Sequence, residues 1–537
     1  MNALKSQLVT DAVEEIIRQA QTKLPPDVVE GLVVARDTET DKTATAQLDA
    51  ILENISIADD RAIPMCQDTG ILVFFVEIGR DACIVLDLDR AIREGVKQAT
   101  NSVPLRPNAV EPLTRLNSGD NTGDGLPDIN YSFKDGKDIT ITVVPKGAGS
   151  ENMSAFTMLK PSQVGSVKDF VVETVQKAGG MPCPPIIVGV GIGGSFDKSA
   201  RLAKRSLLRN LGDMDEYEQE LLEAINSLGI GPMGLGGRTT ALAVHVEKAH
   251  CHTASLPVAV NIQCWANRHA SVTLDAGHDL THLSEQYKTM HHLTEQHSNK
   301  HHLVEQHLNE HHLAERHMNK HQLAERHMNK HQLAEQHSNK HQLAEQHMAG
   351  KNVPHHLTTP LTQDDIMELQ AGDIVYLSGT IYTARDEAHL RILELTDGGK
   401  PLPFDLEGAV LYHCGPLMQK NKGGWRTVAA GPTTSARMTD MTPQVLDNYN
   451  VRAIIGKGGM KNIAPALEDR CVYLAYTGGC AALAVDMIKD VRDVHWLDLG
   501  MPEAVWVLEV ENFGPLIVGV DAKGRDLYEE VSGLALK

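Results

Sequence analysis

An α/β chain in two domains is predicted by three observations. Residues 1–278 alternate β-rich runs with runs of helical spacing. Residues from 358 to the end alternate again in shorter units punctuated by glycine. Between them, over 279–357, lies a stretch of wholly different composition, built from a ten-residue repeat. A chain of 537 residues is long enough to bury more than one core.

The elements follow in order. MNALKSQLVTDAVEEIIRQA carries acids on an amphipathic pattern and reads as a mature helix, unlike a signal peptide. ILVFFVEIG (71–79) and DITITVVP (138–145) predict strands, whereas VKDFVVETVQKAG (167–179) and KSARLAKRSLLRNL (198–211) predict helices. In the second half GAVLYH (408–413), RAIIG (452–456) and LIVGVD (516–521) predict short strands between glycine-rich turns.

Charge and cysteine content exclude several classes. A formal net charge of −20 argues against nucleic acid or an anionic membrane as a partner. It leaves open an anionic small substrate held by a local cluster of Arg and Lys. No apolar run reaches transmembrane length. The eight cysteines form no C-x-x-C pair, which leaves zinc ribbons and thioredoxin-like motifs unsupported and points to a reducing, cytoplasmic compartment.

The repeat spans roughly 282–350, from HHLTEQHSNK to HQLAEQHMAG. Ten residues make about 2.8 helical turns, so its Leu stripe rotates around the axis and no constant apolar face forms. It reads as a solvated linker. The sharper alternative is a divalent ion held by the i, i+4 pairs His297/His301, His307/His311 and His317/His321, which would make the chain a metal-buffering protein.

Three cysteines stand at expected strand ends or turns: Cys66 in PMCQDTG, Cys183 in MPCPP and Cys264 in NIQCWANRH. Each alone is more often a buried small hydrophobe than a ligand. Together, thiolates from three dispersed segments can ligate three irons of a [4Fe–4S] cluster and leave the fourth open. VGVGIGGSFD sets Gly189, Gly191 and Gly194 at G-x-G-x-x-G spacing. No strand-end acid follows at the distance a dinucleotide site needs, so the glycines are expected to form a tight turn near the cluster, with a helix N-terminus facing anionic groups.

PMCQDTG, VGVGIGGSFDKSA, GIGPMGLGGRTTALAVHVE, HTASLPVAVNIQCWANRH, LSGTIYTARDEAHLR, AGPTTSARM and IIGKGGM occur in one order along the chain. In this set the sequence resembles the iron–sulfur-dependent class I fumarate hydratases and their relatives the L-tartrate dehydratases, with the α and β parts fused. The resemblance implies an α/β (α+β) hydro-lyase of two domains, the second a swivelling β/β/α-type module. It implies a [4Fe–4S] cluster on Cys66, Cys183 and Cys264, and a homodimer. Asp68 matches the acid beside the cluster, His252 the histidine paired with it, and Thr433 the proton-abstracting base. Gln67, Arg106, Gly147, Arg385, Arg437 and Lys457 match substrate contacts.

The residue chemistry agrees. A C4 dicarboxylate needs forked and point-charge cations for its two carboxylates. Removing a proton beside a carboxylate builds further negative charge, which the same cations stabilise. The implied reaction is reversible hydration of fumarate to L-malate. L-Tartrate and mesaconate, which differ by a hydroxyl or a methyl, are the alternative substrates.

Overall fold

The structure is a computed structural model that describes residues 2–84, 86–275, 354–421 and 424–535. The ten-residue repeat and its histidine pairs lie outside the described residues. Helices α1 (Asn2–Thr22), α2 (Pro26–Thr38) and α3 (Lys42–Arg61) open the chain. The Asp41 side chain caps α3 by accepting from Ala44 N. There follow β1 (Ile71–Gly79), α4 (Leu88–Ser102), β2 (Asp128–Lys134), β3 (Asp138–Lys146), α5 (Ala148–Glu151), β4 (Ala155–Leu159) and α6 (Val167–Ala178). Then come β5 (Ile186–Ile192), α7 (Phe196–Ser206), α8 (Glu216–Asn226), β6 (Ala241–Lys248), β7 (Leu256–Gln263) and β8 (Ala270–Asp275). The strands expected at 71–79 and 138–145 and the helix expected at 167–179 form at those places.

The first half builds two four-stranded sheets, each with its own core. In the order β2-β1-β3-β8, one sheet is covered by α1 and α4. Val9, Val13, Ile16, Ile17 and Ala20 recur at helical spacing along α1 and are buried against Phe74, Val76 and Ile141. Gly95 lets α4 approach, since a Cβ there would stand 2.6 Å from Val13 Cγ1. The other sheet, β4-β7-β5-β6, packs Val188, Val190, Val260 and Ile262 against Val171 and Val175 of α6 and Leu221 and Ile225 of α8.

The glycine motif has a different cause from the one the sequence suggested. A Cβ on Gly189 would lie 2.0 Å from Ala203 O, and one on Gly191 would lie 1.9 Å from Ser199 O. The glycines let α7 rest directly on β5. The turn that opens α7 follows the C-terminal end of β5, whereas Cys183 precedes its N-terminal end. Seven residues at about 3.3 Å each separate the turn from the cysteines. The expectation that it lies near a cluster is therefore corrected.

The second half contains β9 (His355–Thr358), β10 (Ile374–Thr383), β11 (Val410–Tyr412), β12 (Leu417–Asn421), β13 (Gly424–Ala429), β14 (Ala453–Gly456), β15 (Val472–Tyr476), β16 (Ile488–His495) and β17 (Val505–Val520). β9 begins inside the stretch expected as linker. Strands β9, β10, β11, β14 and β15 run parallel. The sixteen-residue β17 is antiparallel to both β15 and β10, and so closes β10-β11-β14-β15-β17 into a ring. The fold is thus mixed α and β. The C-terminal ends of β11 and β14 carry His413 and Lys457, the end of parallel strands where ligands usually bind.

The halves share one core, in which Leu48 and Ile51 of α3 join Tyr412, Leu474 and Phe513 of the ring. Polar bonds fix the register between them. Thr477 Oγ1 donates to Gln47 Oε1 at 2.6 Å and Trp265 Nε1 to Gly478 O at 2.7 Å. Asn54 is fully buried; its Nδ2 donates to Met65 O at 3.1 Å and its Oδ1 accepts from Leu483 N at 2.9 Å. Asn54→Leu strands the buried Leu483 N–H at a cost of roughly 1–3 kcal/mol, while Met65 O keeps the Ala481 N–H at 3.0 Å. A lowered urea midpoint is expected, and an unchanged midpoint would show that the bond does not join the halves.

His245 on β6 is fully buried, and neither ring nitrogen has a hydrogen-bond partner among the described residues. Burial, with Arg209 adding to it, pushes its pKa down to about 4 from the ordinary 6.5. Between those values the unfolded chain binds the proton and the folded chain does not. Stability is therefore lost as pH falls from about 6.5 to about 4. Unfolding midpoints measured across that window should flatten in His245→Leu; an unaltered slope would assign the pH dependence elsewhere.

Candidate active site

The three predicted cysteines arrive from three directions. Cys66 lies in the turn between α3 and β1, Cys183 between α6 and β5, and Cys264 directly after β7. Strands β5 and β7 are antiparallel with Ile187 opposite Gln263, so Cys183 and Cys264 share one end of their sheet. Trp265 N donates to Cys183 O at 3.4 Å across that end. Cys183 itself holds the left-handed conformation at φ 60.

Lys457, from the second half, closes the group. Its Nζ donates to Cys183 Sγ at 3.0 Å. Burial alone would discharge this ammonium, but the facing sulfurs of Cys183, Cys66 and Cys264 hold its pKa above the ordinary lysine value. Burial raises the Cys66 thiol, and it raises Cys264 to about 11 with Cys183 and Cys66 adding to the rise. Cys264 thus feels both other sulfurs, and Lys457 faces all three. Gly149 and Gly478 make room, since a Cβ on the former would lie 3.3 Å from Lys457 Nζ and one on the latter 2.4 Å from Cys183 Sγ.

The donor chemistry fits an iron–sulfur cluster. Soft thiolates are its usual ligands. Among the described residues no three His, Cys, Asp or Glu side chains gather tightly enough for one metal ion.

Asp68 lies two residues beyond Cys66. Its Oδ1 accepts from Asn108 Nδ2 at 2.9 Å and Gly70 N at 3.0 Å, and its Oδ2 accepts from Ala148 N at 3.0 Å. Arg106 Nη2 stands 3.5 Å from Oδ1. Burial works to raise this carboxyl, but Arg106, Arg268 and the Gly70 N–H outweigh it and leave the pKa below the usual value. Asp68 is therefore an ionised acceptor. Gly147 keeps it accessible, since a Cβ there would meet Oδ2 at 3.3 Å.

The second half brings its cations to the same place. Arg385 is paired with Glu503 at 3.0 Å and feels the charges of Arg106 and Arg437. Burial and the neighbouring cations pull its pKa below the ordinary guanidinium value. Arg437 is held by Asp386, its Nε donating to Oδ1 at 3.0 Å. Gln67 crosses between the halves and donates from Nε2 to Pro432 O at 3.1 Å. The backbone of Thr433 is clamped, its N–H donating to His413 O at 2.7 Å and its carbonyl accepting from Lys457 N at 3.3 Å.

One expected partner is elsewhere. His252 is exposed on the loop from β6 to β7, at the sheet end opposite Cys264, and its Nδ1 accepts from Ala254 N at 3.1 Å. Within one chain it does not reach Asp68. The sequence reading also missed Asn108, Glu503, Asp386, Lys146 and Arg268. Arg268 stands four positions after Cys264, inside a quoted motif, and nothing about an isolated Arg marks it as buried.

Comparison with known proteins gives the family. A family model described as fumarate hydratase (fumerase) matches residues 10–273, and one described as fumarase C-terminus matches 288–531. The chain is 32% identical over 549 residues to a Geobacillus stearothermophilus protein provisionally named class I fumarate hydratase, covering 98% of this chain and 97% of that one. In Methanocaldococcus jannaschii, a protein provisionally named L(+)-tartrate dehydratase subunit alpha is 50% identical over 281 residues, 50% of this chain and 99% of its own. A protein of the same organism provisionally named subunit beta is 54% identical over 175 residues, 32% of this chain and 90% of its own. The chain belongs to the fumarate hydratase (fumerase) family of hydro-lyases, with parts that are separate subunits in some relatives joined in one polypeptide.

Proposed function

We propose that the protein hydrates fumarate reversibly to L-malate, using a [4Fe–4S] cluster held by Cys66, Cys183 and Cys264. The observation that carries this reading is the meeting of Arg106 from one half with Arg385, Arg437 and Lys457 from the other, beside three cysteines. When bound, the cluster supplies an electrophilic iron for the hydroxyl that is added or removed. Arg385 and Arg437 bind one carboxylate and Arg106 the other. Asp386 and Glu503 hold the two guanidinium groups of the second half aligned before substrate enters.

Thr433 is the proposed base at the carbon that loses a proton. Its hydroxyl is weakly basic alone, and the surrounding cations favour its deprotonated form. The fixed backbone at 433 aims the side chain without help from substrate. Asp68 accepts protons at the hydroxyl, and Gln67 orients substrate between the halves. His252 can complete a pair with Asp68 only through rearrangement or a second copy of the chain, and the proposed homodimer supplies the second route. A cytoplasmic setting suits eight unpaired cysteines, and among the described residues no helix is long and apolar enough to cross a membrane. The proposed division of the chain remains 1–278, 279–357 and 358–537, with a swivelling β/β/α-type second domain.

L-Tartrate is the second reading, favoured by the 50% and 54% identities to proteins named for it. Loss of fumarate absorbance with anaerobically prepared protein separates the two. A kcat/KM for fumarate at least tenfold above those for L-tartrate and mesaconate is expected, and a tenfold preference for L-tartrate would overturn the choice. Thr433→Ala should keep its iron and sulfide while kcat falls at least about 100-fold. Full activity in that variant would remove Thr433 as the base. Serine at Cys66, Cys183 or Cys264 should each abolish the visible absorption of the cluster, and retention of it in any one would strike that ligand from the set.

A further inference from the structure

Arg268 is a fully buried guanidinium in the loop from β7 to β8. Nη1 donates to Gln21 Oε1 at 2.7 Å, and Nη2 donates to the backbone carbonyl of Asp68 at 2.9 Å. Nε has no hydrogen-bond partner among the described residues. The other cations of the region have acidic partners. Arg106 has Asp68 at 3.5 Å, Lys146 has Glu151 at 3.2 Å, Arg385 has Glu503 at 3.0 Å, and Lys457 bonds Cys183 Sγ at 3.0 Å. Among the described residues Arg268 forms no ion pair with a carboxylate; its acceptors are a neutral amide and a peptide carbonyl. Burying a guanidinium against neutral acceptors is unfavourable unless negative charge is brought beside it. The acidic groups that feel its charge are Cys66, Asp68 and Cys264.

The same guanidinium belongs to a brace behind the first cysteine. Gln21 Nε2 donates to Thr69 O at 3.0 Å, and Gln21 O accepts from Met65 N at 3.0 Å. Gln21 and Arg268 together grip the backbone from Met65 to Thr69, the turn that carries Cys66 and Asp68.

We propose that Arg268 is the built-in counter-charge of the three-cysteine cradle, offsetting the negative charge that Cys66 and Cys264 acquire as cluster ligands while it pins the Asp68 backbone. This rests on the cluster reading given above. Arg268 is a positioning residue: its hydrogen bonds go to Gln21 and to the Asp68 backbone. A brace alone would need only hydrogen-bond donors. A counter-charge requires the positive charge itself.

The test loads wild type, Arg268→Lys, Arg268→Gln and Gln21→Ala anaerobically with ferrous iron and sulfide. It reads the iron and sulfide count, the rate of iron loss to a chelator, the cluster's midpoint potential, and the melting temperature of each metal-free protein. Removing a nearby positive charge makes adding an electron to the cluster harder. Arg268→Gln should therefore shift the potential to more negative values and lose iron at least tenfold faster. Arg268→Lys and Gln21→Ala should stay near wild type in potential, whatever their melting temperatures. A loaded wild type with Arg268→Gln unchanged in both potential and iron loss overturns the inference alone. So does a shift in Gln21→Ala or Arg268→Lys as large as that in Arg268→Gln, which would mark a brace. A wild type that takes up no cluster overturns the functional reading as well.

Discussion

The contact between Lys457 Nζ and Cys183 Sγ, at 3.0 Å, is the constraint on which the rest of the site depends. It joins the end of a parallel strand in one half to a strand entry in the other. Burial works against the charge of this ammonium, and the sulfurs that face it outweigh that cost. Neither half holds this balance alone. The cradle is thus a property of the docked pair, which explains why so many polar bonds are spent on fixing the register between the halves.

Those bonds place the chemistry as well as the fold. Gln67 reaches from the turn after Cys66 to the carbonyl next to Thr433, and Trp265, the residue after Cys264, bonds Gly478. A shift of one half relative to the other would displace Cys66 and Cys264 from Thr433 and Lys457. The cations are arranged with similar economy. Asp386 and Glu503 hold Arg437 and Arg385, so the guanidinium groups are already oriented, although the chain as a whole carries a charge of −20. Local charge, not net charge, decides what enters the cleft.

Much of this was legible in the sequence, for identifiable reasons. The strands at 71–79 and 138–145 announced themselves through β-rich composition, and the helix at 167–179 through apolar spacing. The three cysteines and the Arg and Lys motifs were legible because ordered motifs carry their context with them. What failed needed three dimensions. Gly189 and Gly191 were expected in a tight turn near the cluster, yet their cause is the backbone of α7 lying on β5. His252 sits only twelve positions before Cys264 in sequence, but an antiparallel strand carries it to the far end of the sheet. The ring closed by β17 was invisible because two pairings made by one long strand leave no periodic trace. Arg268 was passed over because burial of a lone guanidinium is decided by partners distant in the chain.

The most direct measurement is an anaerobic crystal structure with iron located by its anomalous scattering. The account predicts iron bounded by Cys66, Cys183 and Cys264, on the side of Lys457, with one iron free of protein sulfur. Iron found instead among the histidines of residues 282–350, or three sulfurs that ligate nothing, would contradict it.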